Sequence, residues 1–180
     1  MKEERLSQKQ VFECSFMKLY VDKVKLDNGI QSERVYIKHP GAAAVFPITK
    51  DGNIILIKQY RYPIQSITIE IPAGKTDDKE LGIVCAQREL EEETGFSSKN
   101  IKHVMNIHNC LGYSDELIEL FVASNCEPLN SPKKMDDDEQ IEILIVTIKE
   151  ALELLKNGHI SDAKTIIMLQ WYALTQNISF

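Results

Sequence analysis

One stretch near the middle of the chain limits the fold more than any other. Residues 76–94 leave the alternating pattern around them and read as a helix, with Thr76 or Asp77 as its cap and Gly95 as its stop. Ile83, Ala86 and Leu90 share one arc and predict a core-facing side. Glu89, Glu92 and Glu93 are spaced i, i+3 and i+4, so their carboxylates leave the helix on one face. Like charges at that spacing repel by about 0.2–0.5 kcal/mol per pair. They also lie toward the C-terminus, where the helix dipole disfavours anions. A fold gains nothing from this placement unless something positive sits there, and a hard divalent cation with oxygen ligands meets the need. A solvated acidic face is the alternative.

What surrounds this helix reads as strand. Residues 11–26 are extended and end at the turn Asp27-Asn28-Gly29, and a second run over 31–38 completes a hairpin. His39-Pro40-Gly41 then breaks the chain. Runs over 42–48 and 53–59 flank Lys50-Asp51-Gly52, a second hairpin signature, and 67–71 is a short strand closed by Pro72. Three more strands are predicted over 102–109, 117–124 and 140–147, then amphipathic helices over 148–157 and 161–175. This order predicts an α/β sandwich, its sheet covered by helices on both faces, with the first hairpin as an N-terminal antiparallel β extension. The expected division is an extension over residues 1–40 and a main domain over 41–180.

The 180 residues are 43% hydrophobic and 27% charged, which excludes wholesale disorder. Asp plus Glu number 27 against 21 Lys plus Arg, and the net charge of −6 disfavours non-specific binding to nucleic acid or an anionic membrane. The excess is concentrated. Residues 74–95 hold seven acids against three bases, and residues 136–142 hold five acids and no base. No apolar run approaches the roughly 18–20 residues of a membrane-spanning helix, and the first ten residues show no secretory pattern. Cys14, Cys85, Cys110 and Cys126 have no metal-binding spacing and are expected to be reduced thiols, so the expected compartment is the cytoplasm.

Gly74, five residues, Glu80, seven residues, Arg88-Glu89-Leu90, one residue, Glu92-Glu93, one residue, Gly95 resembles the Nudix box. The position after Gly95 is normally aliphatic and is Phe96 here. The resemblance implies a Nudix-type α/β/α sandwich, a loop-helix-loop metal site and hydrolysis of a nucleoside diphosphate linked to another moiety. By that resemblance Glu89 and Glu93 would be the main metal ligands. Glu92 would be a further or water-mediated ligand, and the backbone carbonyl of Ala73 another. Arg88 and Glu80 would orient the carboxylates.

The likeness extends along the chain. Lys58-Gln59-Tyr60-Arg61-Tyr62-Pro63, Glu70-Ile71-Pro72-Ala73-Gly74, His39-Pro40-Gly41-Ala42 and Gly112-Tyr113-Ser114-Asp115-Glu116 look like the ADP-ribose pyrophosphatase and nucleoside diphosphate sugar hydrolase branch. Gly158-His159-Ile160-Ser161-Asp162-Ala163 and Leu169-Gln170-Trp171 resemble the same branch. That implies a substrate phosphate at Arg61, a substrate loop including Gly112 and Ser114, and a terminal sugar near Glu116. Where the branch often has Ser-Pro before this glycine, the chain has Cys110-Leu111. The acidic run before the strand at 140 would supply the general base or a further ligand, Glu139 first and Asp137 as the alternative. Mg²⁺ is the implied cofactor and Mn²⁺ the alternative. From ADP-ribose the products would be AMP and ribose 5-phosphate. The extension would exchange between the subunits of a homodimer and help enclose the base, with Phe12, Phe16 and Tyr20 on one face of a strand and Arg34 reaching toward the partner's site. The competing expectations are a GDP- or UDP-hexose hydrolase and a nucleotide-binding module without catalysis.

Overall fold

The structure is a computed structural model that describes residues 1–131, 133 and 140–179. The chain forms two compact units, one of Met1–Gly41 with His108–Leu117, the other of Ala42–Ile107 with Ile118–Phe180.

The first unit is a three-stranded antiparallel sheet of β1 (Glu3–Glu13), β2 (Lys18–Leu26) and β3 (Gln31–Lys38), in that spatial order. The hairpin turn at Asp27-Asn28-Gly29 stands as expected, with Asn28 Oδ1 accepting from the Ile30 N–H at 3.1 Å. The first strand was not expected. Every residue of β1 is exposed, so it has no buried face to mark it, and it is held by backbone pairing with β2 along one edge. Residues 11–26 are therefore two strands, separated by a bend in which the Cys14 N–H donates to the Met17 carbonyl. The single aromatic face over Phe12, Phe16 and Tyr20 does not form. Phe12 lies in β1, Phe16 in the bend with its ring edge against His39, and Tyr20 in β2 stacked on Tyr36. Ile37 bridges Ser114 in parallel, which attaches the 108–117 segment to β3.

The second unit has the order β4 (Ala42–Thr49), β5 (Ile54–Arg61), a 3₁₀ turn (Tyr62–Ile64), β6 (Ser66–Glu70), β7 (Ala73–Lys75), α1 (Gly82–Thr94), β8 (Phe96–Ser97), β9 (Asn100–Ile107), β10 (Ile118–Pro128), β11 (Ile141–Val146), α2 (Ile148–Lys156) and α3 (Ala163–Thr175). Its sheet runs β11-β5-β4-β10-β8, with β6 on β5, β7 on β4 and β9 on β10. β4 and β10 are parallel. The β4 sequence, a near-continuous apolar run, is that of a strand covered on both faces. Ala42, Ala44, Phe46 and Ile48 pack with Leu56 and Leu120 beneath Ala151, Leu152, Met168, Leu169 and Ala173 of α2 and α3. Ala43 and Val45 pack with Ile55, Phe121 and Ala123 against Cys85, Ala86 and Leu90 of α1. This is the expected α/β/α sandwich.

Helix α1 begins at Gly82, later than Thr76 or Asp77. Residues 77–80 form a turn instead, in which the Asp77 N–H donates to Glu80 Oε2 at 3.0 Å and Leu81 becomes an uncapped start. Ile83 is 43% exposed rather than core-facing. The buried stripe runs through Gly82, Cys85, Ala86, Glu89, Leu90, Glu93 and Thr94, so two carboxylates stand where hydrophobic side chains would be expected. Gly95 ends the helix with φ +68°, a conformation that glycine adopts without steric cost.

Candidate active site

The loop from β6 into β7 lies along the carboxylate face of α1. The Ala73 N–H donates to Glu93 Oε2 at 2.9 Å, and the Pro72 carbonyl accepts from the Val45 N–H at 2.9 Å. Gly74 has a steric reason: a Cβ there would collide with the carboxylate of Glu89. Glu89 and Glu93 are both buried, at 8% and 4% exposure. Arg88 serves three carboxylates at once. It donates to Glu89 Oε1 at 2.6 Å, to Glu92 Oε2 at 3.1 Å and to both oxygens of Glu80 at 3.0 and 3.1 Å. Its remaining bonds go to the Lys75 carbonyl and the Cys85 sulfur. Those bonds to Glu80 come first among the effects that raise the Arg88 pKa, and Arg88 holds Glu80 below the ordinary carboxylate range. Burial pushes the Cys85 thiol up to about 12, so it remains protonated at neutral pH.

Among the described residues three acids bond to Arg88, and Glu93 stands on the same helix face as Glu89 and Glu92. Among the described residues no three His, Cys, Asp or Glu side chains are grouped as a ready metal cage. The donor set nevertheless fits a hard divalent ion. All the donors are oxygens, two are buried, and a glycine leaves room for one of them against the loop backbone. Glu139 and Asp137 lie outside the described residues.

On β5 and β6 the proportions are reversed. Glu70 is 2% exposed and takes four bonds: from Arg61 Nε and Nη2 at 2.8 and 2.7 Å, from Thr68 at 2.6 Å and from Lys164 Nζ at 2.5 Å. Burial pushes the Glu70 pKa up, but the two cations outweigh it and hold it at about 2. Lys164 also reaches Asp162 Oδ1 at 3.0 Å, and Asp162 Oδ2 caps α3 through the Thr165 N–H at 3.0 Å. Thr165 Oγ1 in turn accepts from the Ile71 N–H at 2.8 Å, so this cluster and Glu93 pin the same loop at Ile71 and Ala73. The sequence reading singled out Arg61 but missed Glu70, Asp162, Lys164 and Thr165 as one unit. The capping pattern Asp162-Ala163-Lys164-Thr165 was its only local signal.

The remaining expected residues are in the first unit. Arg34 forms a two-bond pair with Glu3 at 2.9 and 2.6 Å. Ser114 Oγ accepts from the Glu116 N–H at 3.2 Å, and Glu116 Oε1 lies 3.7 Å from His39 Nδ1. Asp115 binds Lys38 at 2.5 Å and the His39 N–H at 2.9 Å, which fastens the loop to β3. A Cβ on Gly112 would meet nothing within 4 Å.

A family model described as the NUDIX domain matches residues 38–169. The chain belongs to the Nudix family. It is 37% identical over 176 residues to the ADP-ribose pyrophosphatase of Bacillus subtilis (strain 168), covering 98% of this chain and 95% of that protein. It is 37% identical over 174 residues to the methanol dehydrogenase activator of Bacillus methanolicus, covering 97% and 94%. To the GDP-mannose pyrophosphatase of Cronobacter sakazakii it is 34% identical over 143 residues, covering 76% and 74%. A crystal structure of an ADP compounds hydrolase superposes with a TM-score of 0.83 at 21% identity, covering 98% and 96%, and shares the fold. The expected enzyme class, a Nudix pyrophosphohydrolase, stands with this membership. Among the described residues no helix is long and apolar enough to cross a membrane.

Proposed function

We propose that this Nudix chain hydrolyses the diphosphate bond of ADP-ribose or a related nucleoside diphosphate sugar, releasing a nucleoside monophosphate and a sugar phosphate. The observation that carries this reading is the α1 face, where buried Glu89 and Glu93 stand against the Ala73-Gly74 backbone and Arg88 bonds to Glu80, Glu89 and Glu92. Glu89 and Glu93, with Glu92 and the Ala73 carbonyl, would hold Mg²⁺ or Mn²⁺. Such a cation polarises a phosphoryl oxygen and offsets the charge of the diphosphate. Arg88 keeps the carboxylates apart and oriented through charge-assisted bonds. Arg61, whose planar fork suits two phosphate oxygens, binds the diphosphate. Glu139, with Asp137 as the alternative, takes the proton of the attacking water. Gly112, Ser114 and Glu116 form the sugar side.

The near full-length likeness to the B. subtilis ADP-ribose pyrophosphatase supports ADP-ribose as the first substrate. The likeness to a GDP-mannose pyrophosphatase favours GDP- or UDP-hexoses as the second reading. Chromatography of products formed from ADP-ribose, GDP-mannose and UDP-glucose with Mg²⁺ separates the two. The expected result is the highest kcat/KM for ADP-ribose, with AMP and ribose 5-phosphate as products. A higher value for a hexose conjugate supports the second reading, and no turnover of any removes both.

The working unit proposed is a homodimer through the N-terminal sheet, in which Arg34 serves the partner's site. Light scattering that returned a monomer of 20.5 kDa would remove that arrangement.

A further inference from the structure

We propose that Lys164 is a positioning residue for the diphosphate, acting through Glu70 on Arg61; this rests on the hydrolase reading above. Lys164 is in an unfavourable place. Its side chain is 8% exposed and sits in the first turn of α3, the end of a helix where the dipole repels a cation. A buried cation at such a place is costly unless it is paired. What the charge does there is visible in its bonds, to Glu70 at 2.5 Å and to Asp162 at 3.0 Å.

Glu70 is thereby saturated, since a carboxylate offers about four acceptor positions and all four bonds are made. Arg61 gives it only Nε and Nη2, one side of the guanidinium. Among the described residues its Nη1 has no hydrogen-bond partner, and the side chain is 42% exposed. The Arg61 charge is also felt by Glu93, so its guanidinium lies within electrostatic reach of the α1 carboxylates. Lys164 gives Glu70 a second cation, so Arg61 shares that carboxylate instead of holding it alone, and Asp162 balances Lys164 while its other oxygen caps α3. Without Lys164, Arg61 and Glu70 are a neutral pair. An approaching diphosphate then finds the fork quenched.

The test is the affinity for ADP-ribose in EDTA, measured by calorimetry, together with KM and kcat in Mg²⁺. Lys164→Met is expected to raise Kd and KM by about tenfold and to leave kcat within about twofold, because the lost interaction is one of binding. Adding Glu70→Gln to Lys164→Met removes the quenching charge and is expected to return Kd to within about threefold of wild type. A purely structural lysine predicts the opposite, further loss in the double variant. Lys164→Gln, which still donates to Glu70, replaces the methionine variant if that variant does not fold. Unchanged Kd in the lysine variants, or no rescue by Glu70→Gln, overturns the proposal while leaving the hydrolase reading intact. Wild type that turns over none of ADP-ribose, GDP-mannose and UDP-glucose in Mg²⁺ overturns the hydrolase reading itself, and the role of Lys164 with it.

Discussion

The Arg88 cluster and the Glu70 cluster are made of the same groups in opposite proportions. Around Arg88, one guanidinium is divided among Glu80, Glu89 and Glu92. Around Glu70, one carboxylate is shared by Arg61 and Lys164. Among the described residues the first sets three carboxylates on one guanidinium, while the second sets two cations on Glu70 and adds Asp162 on Lys164. The loop from Ile71 to Gly74 touches both clusters. Each cluster can be perturbed separately, with different expected signatures.

The largest effect is expected on the acidic side. Glu93→Gln keeps the shape and removes the charge, and should cut kcat by about 10²–10³ in steady-state assays with little change in Tm. Retention of wild-type kcat would remove Glu93 from the ligand set.

The next effect belongs to Glu70 and concerns stability. Its folded pKa of about 2 lies below the usual carboxylate value, so its contribution is present above about pH 4.5 and is lost as pH falls through about 2. Urea unfolding between pH 5 and pH 2 should show wild type losing about 3 kcal/mol more than Glu70→Gln. Parallel curves would contradict the pairing.

Arg88→Lys keeps the charge but loses the fork, and is expected to weaken Mg²⁺-dependent turnover by about 10–100-fold. A titration with Mg²⁺ should place most of that loss in metal affinity. The smallest effect serves as a control. Lys50 pairs one-to-one with Glu127 on the surface, with both side chains exposed, and Lys50→Ala should change unfolding free energy by less than about 0.5 kcal/mol.

Much of the architecture was legible because its causes are local. The apolar run of β4, the turn at Asp27-Asn28-Gly29, the stop at Gly95 and the spacing of Glu89, Glu92 and Glu93 each act within a few residues. β1 was not legible, since an all-exposed strand is specified by its neighbour's backbone and not by its own pattern. The start of α1 was misplaced because Asp77 and Glu80 close a turn that resembles a cap. The arc shared by Ile83, Ala86 and Leu90 placed Ile83 in the core, whereas the buried stripe of α1 runs through Glu89 and Glu93 instead. The Glu70–Lys164 pair spans 94 positions, and nothing in either neighbourhood names the other.

The most direct test is turnover of ADP-ribose by wild type and Glu93→Gln, measured side by side with Mg²⁺ and with EDTA. Wild type should release AMP and ribose 5-phosphate only with the metal, and the variant should be reduced by about 10²-fold or more. Equal turnover by both proteins, or turnover that persists in EDTA, would contradict a metal-dependent hydrolase built on the α1 carboxylates.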